Sequence, residues 1–119
     1  MDKMLEVLKK IRSNPVNEEY DLQNEVEKTL GFGGIKFKRE YVLGPRNRVD
    51  FLTENGIAIE TKKGKPNKAQ TIGQLQRYAA FQEVKGIILV VERNLDVPNE
   101  INGKPCISFG LNKLWGIAL

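Results

Sequence analysis

The chain contains no histidine, a single cysteine and no long apolar run, and each absence narrows what it can do. Without histidine there is no Ser-His-Asp or Cys-His relay, no histidine-ligated zinc and no imidazole acid-base pair. Cys106 alone makes neither an internal disulfide nor a cysteine cluster, so a reducing, cytoplasmic setting is expected. The longest apolar run, Ile87 to Val91, is too short to span a bilayer, and the N-terminus shows no signal-peptide core. A soluble protein with no membrane partner is therefore expected. No aromatic-rich stretch offers a stacking platform for single strands, and no recognition helix or zinc module is present to read bases. Catalysis must rest on carboxylates, lysine, hydroxyls, amides or a hard metal ion.

What is present is one domain's worth of chain, 119 residues without repeats or linkers, read as a single domain over 1–119. The net charge of +4 is unevenly spread. Between Lys36 and Arg77 ten Lys or Arg face four acids, a net +6, whereas the rest sums to −2. A basic centre suits a polyanion, because each neutralised phosphate releases counterions. A solvated lysine-rich surface explains the same charge equally well.

Met4, Leu5, Leu8 and Ile11 recur at helical spacing and predict a first helix ending near Ser13-Asn14. Asn14-Pro15 is a start signal for a second helix with the stripe Leu22, Val26, Leu30, stopped by Gly31, Gly33 and Gly34. Ile35, Phe37, Arg39 and Tyr41 alternate with polar residues, the period of a strand. After Gly44-Pro45, Arg48 to Thr53 and Ile57 to Lys62 read as two strands of a hairpin. A third helix is expected over about Lys68 to Val84, with Ile72, Leu75 and Ala79 on its core face. Gly86 to Val91 has the continuous apolar character of a strand covered on both faces, returning parallel through the helical crossover. Pro105 to Phe109 and Leu114 to Ala118 are weaker closing elements. The order predicts an α/β fold with a mixed central sheet flanked by helices.

The chemistry concentrates in the hairpin. Strand interiors are depleted in Asp, yet Asp50 is set among Val49, Phe51 and Leu52, and Glu60 follows Ile57-Ala58-Ile59. Two close carboxylates repel, and a divalent cation removes that penalty. Alternation puts Glu60 and Lys62 on one face with Thr61 on the other. Register decides whether Asp50 joins them. A two-residue Asn55-Gly56 turn would separate the carboxylates. A three-residue loop, Glu54-Asn55-Gly56 with Gly56 left-handed, sets Asp50 opposite Glu60, with Arg48, Leu52, Ala58 and Lys62 on the same side. The three-residue loop is expected. Relief of like-charge crowding predicts that Asp50→Asn is neutral or stabilising without metal.

These residues resemble the PD-(D/E)XK nuclease superfamily. Asp50 is similar to its motif Asp, and Glu60-Thr61-Lys62 to its ExK. Gln74-Leu75-Gln76-Arg77-Tyr78 is similar to the QxxxY motif of the RecB-like branch, and Glu19 resembles the helical Glu of Holliday-junction resolvases. Val49 stands where the motif proline would be, and the branch's helical histidine is absent. The resemblance implies a restriction-endonuclease-like core and Mg²⁺-dependent hydrolysis of DNA, with Mn²⁺ able to substitute. It implies Asp50, Glu60 and the Thr61 carbonyl as metal ligands, with Lys62 orienting water or stabilising the transition state. Glu19 would complete the metal's outer shell, with Glu18 and Glu25 as competitors. Gln74 and Tyr78 would touch the site or a phosphate, and Arg46, Arg48, Lys65 and Lys68 are further phosphate contacts. A homodimer is expected, because a bare core of this size needs a partner to select a DNA structure. A catalytically silent nucleic-acid-binding module and a plain interaction subunit stand as alternatives, and the DNA structure, or RNA, is open.

Overall fold

The computed structural model describes residues 1–11 and 19–112, with Glu19 and Tyr20 described by backbone alone. Among the described residues three helices flank a mixed six-stranded sheet. The helices are α1 (Asp2–Leu8), α2 (Glu19–Phe32) and α3 (Lys68–Ala79). The strands are β1 (Phe37–Gly44), β2 (Asn47–Thr53), β3 (Ile57–Lys62), β4 (Gly86–Val91), β5 (Glu100–Ile101) and β6 (Lys104–Gly110). They lie in the order β1-β2-β3-β4-β6-β5. β1 to β3 form an antiparallel meander, and β4 pairs parallel with both β3 and β6. Among the described residues no helix is long and apolar enough to cross a membrane.

Alternation in the strands sorts the core into two layers. Ile57, Ile59, Ile88 and Val90 pack with Leu22, Val26 and Leu30 of α2 and with Met4, Val7 and Leu8 of α1. Ala58, Ile87, Leu89 and Val91 pack on the opposite face with Leu75, Tyr78 and Ala79 of α3. β4, flanked by strands and covered on both faces, is buried along its whole length, which explains its unbroken apolar sequence.

The hairpin register is the one that the three-residue loop requires. Phe51 pairs with Ile59 and Leu52 with Ala58, and Gly56 sits at φ +82. The α2 stop is a Schellman turn: Ile35 N–H donates to Leu30 O at 3.0 Å and Gly34 N–H to Gly31 O at 3.1 Å, with Gly34 left-handed at φ +72.

Two helix ends and one helix face differ from the expectation. α1 stops at Leu8, although Ile11 still reaches the core. α3 stops at Ala79 rather than Val84 because its end is capped from afar. The Lys104 ammonium donates to Ala79 O at 2.6 Å and Phe81 O at 2.8 Å, and Asn102 Nδ2 adds a bond to Ala79 O at 3.1 Å. Thr71 and Tyr78, not Ile72, share the buried face of α3 with Leu75 and Ala79. The Asn14-Pro15 start signal and the Leu114 to Ala118 element lie outside the described residues.

Candidate active site at the fork between β2 and β3

The β2–β3 pairing gives way where the two acids stand. Instead of continuing a backbone ladder, each strand's N–H is taken by the other strand's carboxylate. Asp50 N–H donates to Glu60 Oε1 at 3.2 Å, and Thr61 N–H donates to Asp50 Oδ2 at 2.8 Å. The Thr61 hydroxyl adds a bond to the same Oδ2 at 2.7 Å.

Asp50 reaches this position because β2 turns over there. Val49 and Phe51, two residues apart, would share a face of a regular strand. Here Val49 packs in the α3-side core and Phe51 in the α2-side core. β1 switches in step: Phe37 packs on the α2 side and Tyr41 on the α3 side. Glu40, between the paired positions Arg39↔Phe51 and Tyr41↔Val49, takes the left-handed φ of +54. Such backbone costs about 1–3 kcal/mol in a residue other than glycine. The picture of Asp50 and Glu60 side by side on one face is therefore corrected. Asp50 is bonded from the α2 side and Glu60 from the α3 side, and they meet at the fork.

On the α2 side Gln23 Nε2 donates to Asp50 Oδ1 at 3.2 Å. On the α3 side the Tyr78 hydroxyl donates to Arg48 O at 2.8 Å and lies 3.4 Å from Glu60 Oε2, while accepting from Gln74 Nε2 at 2.8 Å. Gln74 thus reaches Glu60 through Tyr78. Lys62 Nζ lies 3.6 Å from Glu60 Oε2. Glu60 is only 4% exposed. Burial first, and the charge of Asp50 second, push its carboxyl up to about 8 against the opposing pull of Lys62. The Tyr78 hydroxyl is also raised, by burial and then by the charges of Glu60 and Asp50, so it stays a donor at neutral pH.

Lys62 and Lys63 open a groove along α3 that continues past Gln74 and Arg77 to Arg46 and Arg48. The described residues lining both halves include five cations and no acid. Lys65 and Lys68 line a separate recess with Asp96 that shares Pro66 and Asn67 with this groove. The Glu92 carboxylate accepts from Gly64 N–H at 3.1 Å, and Lys62 O accepts from Glu92 N–H at 3.0 Å, which ties the chain after β3 to the end of β4.

Of the helical acids, Glu25 is excluded from the fork. It pairs with Lys28 at 3.6 Å and lines a cavity between α1 and α2. Glu18 and the side chain of Glu19 lie outside what is described. Sequence reasoning missed Gln23, Lys63 and Arg77 as site residues. Arg77 stands three residues after Gln74 on the same helix, a spacing that could have placed it in the groove; Gln23 had no local signal. The expectation for Asp50→Asn is also revised: both Asp50 oxygens accept hydrogen bonds, so an amide would turn its NH₂ toward a donor.

Among the described residues no third His, Cys, Asp or Glu joins Asp50 and Glu60 in a metal-binding group. Compared with family models, curated proteins and solved structures, the chain matches none at a significant level.

Proposed function

We propose that the chain is a metal-dependent nuclease of the PD-(D/E)XK type, with a restriction-endonuclease-like core, that hydrolyses DNA phosphodiester bonds at the β2–β3 fork. The observation that carries this reading is the reciprocal bonding of Asp50 and Glu60 across the fork, with Lys62 3.6 Å from Glu60 and a groove of cations alongside. Glu60, buried and beside a second acid, has its carboxyl pushed up to about 8 by burial first and by the charge of Asp50 second, and acids shifted in this way by burial and a close charge are favoured at functional sites.

The donor set fits a hard divalent ion. Asp50 and Glu60 would hold it, with the Thr61 carbonyl as a further oxygen, and Mg²⁺ commonly takes one or two carboxylates beside water and substrate phosphates. When bound, Mg²⁺ or Mn²⁺ supplies a Lewis acid for the phosphate and a lowered pKa for water. The chain's own residues supply the rest. Lys62 sets an ammonium beside Glu60, where it orients the attacking water and offsets charge on the phosphate. Tyr78 braces Glu60 and the β2 carbonyl of Arg48. Arg46, Arg48, Lys63 and Arg77 seat the phosphate backbone in the groove, with Gln74 between them and Lys65 and Lys68 at its margin. A homodimer working in the cytoplasm belongs to the same reading.

The test is nicking of supercoiled plasmid and of a synthetic four-way junction in Mg²⁺ or Mn²⁺. The wild type should cut and EDTA should stop it. Lys62→Ala, Asp50→Ala and Glu60→Ala should each lose at least roughly 100-fold in rate. Lys62→Ala is the cleanest of the three, because no backbone N–H depends on the Lys62 side chain for an acceptor. Cleavage retained by all three folded variants overturns the reading. The groove by itself also favours a nucleic-acid-binding module without catalysis, which predicts a salt-sensitive gel shift in EDTA and no metal-stimulated nicking.

A further inference from the structure

We infer that Arg39 and Gln23 form a clamp that positions Asp50 for the metal, so that a strand residue and a helix residue remote from the motif set the geometry of its first carboxylate. The inference rests on the nuclease reading and names two positioning residues for it.

The argument begins with donors and acceptors. Arginine has five N–H donors and no acceptor. Arg39 Nε and its terminal Nη2 lie 3.3 and 3.0 Å from Gln23 Oε1. The oxygen of the Gln23 amide must therefore face Arg39, and its nitrogen must face Asp50, where Nε2 lies 3.2 Å from Oδ1. Arg39 thus holds from its side the same amide orientation that the Asp50 carboxylate requires from the other, and Gln23 can only donate to Asp50.

Arg39 is itself immobilised. Its other terminal nitrogen, Nη1, donates to Asn24 Oδ1 and to Glu27 Oε2, both at 2.8 Å. Its guanidinium lies 5.8 Å from the ring centre of the fully buried Phe51. Phe51 is the residue after Asp50, so one guanidinium grips α2 and packs on β2 where the strand turns over. The carboxylate is then held from two directions, by Gln23 on one oxygen and by Thr61 on the other. Partners of this kind fix a ligand's rotamer, and removing one costs about 10- to 100-fold in metal affinity.

The experiment is Mn²⁺ titration followed calorimetrically, with a melting curve for each protein. Gln23→Met keeps the length of the side chain and removes the donor; it should weaken Mn²⁺ binding about tenfold or more. Arg39→Lys cannot bond Gln23, Asn24 and Glu27 together, and it should weaken binding by a smaller factor while Mn²⁺ still saturates. Asn24→Ala is the comparison: it removes one anchor of Arg39 but no bond to Asp50, so it should weaken Mn²⁺ binding less than either Gln23→Met or Arg39→Lys. That pattern supports the clamp. Two outcomes overturn the clamp alone: Gln23→Met binding like a wild type that itself binds Mn²⁺, or Gln23→Met and Asn24→Ala weakened equally in step with their melting temperatures. A wild type that binds no Mn²⁺ overturns the nuclease reading and the clamp with it. Should Gln23→Met fail to fold, Arg39→Lys against Asn24→Ala carries the same comparison.

Discussion

Asp50 and Glu60 are linked across a strand junction in which each carboxylate occupies the place of a backbone carbonyl. Asp50 N–H donates to Glu60 Oε1, and the N–H of Thr61, the neighbour of Glu60, donates to Asp50 Oδ2. The acids are therefore structural acceptors as well as candidate ligands. Removing either orphans a backbone donor, and Thr61 is fully buried.

Asp50→Asn tests this double role. Oδ2 takes two donors from Thr61 and Oδ1 takes one from Gln23, whose amide cannot invert while Arg39 holds it. Whichever way the new amide turns, an NH₂ meets a donor. We expect a loss of roughly 1–3 kcal/mol in metal-free buffer, measured by urea unfolding. Unchanged or increased stability would mean that charge repulsion, not hydrogen bonding, dominates at Asp50.

The raised Glu60 carboxyl sets a pH dependence. The folded protein keeps a proton at Glu60 up to about pH 8, whereas the unfolded chain sheds it near its ordinary value of 4.5. Stability from this group is full below the lower value and is lost as pH rises through the upper one. In EDTA the melting temperature should fall between about pH 5 and pH 8.5, and Glu60→Gln should flatten that fall. A divalent ion competes with the same proton. Binding should release close to one proton per ion at neutral pH and fewer as pH passes about 8, read from calorimetry in buffers of different ionisation enthalpy.

Gly56 fixes the register on which the fork depends. At φ +82 a Cβ would also meet Glu83 O at 2.7 Å. Gly56→Ala should cost roughly 1–3 kcal/mol and lower the melting temperature by several degrees. A neutral result would show that the loop can reach another conformation at no cost.

The groove carries a prediction of its own. Arg77→Gln and Arg48→Gln should each weaken DNA binding in EDTA for every sequence alike and lower the salt slope by about one. A variant with the wild-type slope has no phosphate contact at that position.

The hairpin was legible because its signals are local: Glu54-Asn55-Gly56 for the three-residue loop and the flanking apolar residues for the register. The α2 stripe and the buried β4 run were legible for the same reason. What sequence reasoning missed is long-range or conformational. The α3 end is capped by Lys104, 25 residues beyond Ala79. The turning-over of β1 and β2 rests on a glutamate, Glu40, in left-handed backbone, for which no residue preference gives warning. It converts two acids expected on one face into two acids meeting edge-on. Gln23 stands 27 residues from Asp50 and on a different element, so only the packing of α2 on the sheet reveals it.

The central claim is that Asp50 and Glu60 bind one divalent ion between them. Crystals soaked in Mn²⁺, measured for anomalous scattering at the manganese edge, test it most directly. The account predicts a single strong peak within coordinating distance of both carboxylates, absent in Glu60→Gln crystals. A map without a peak at the fork, with Mn²⁺ bound elsewhere or not at all, would contradict it.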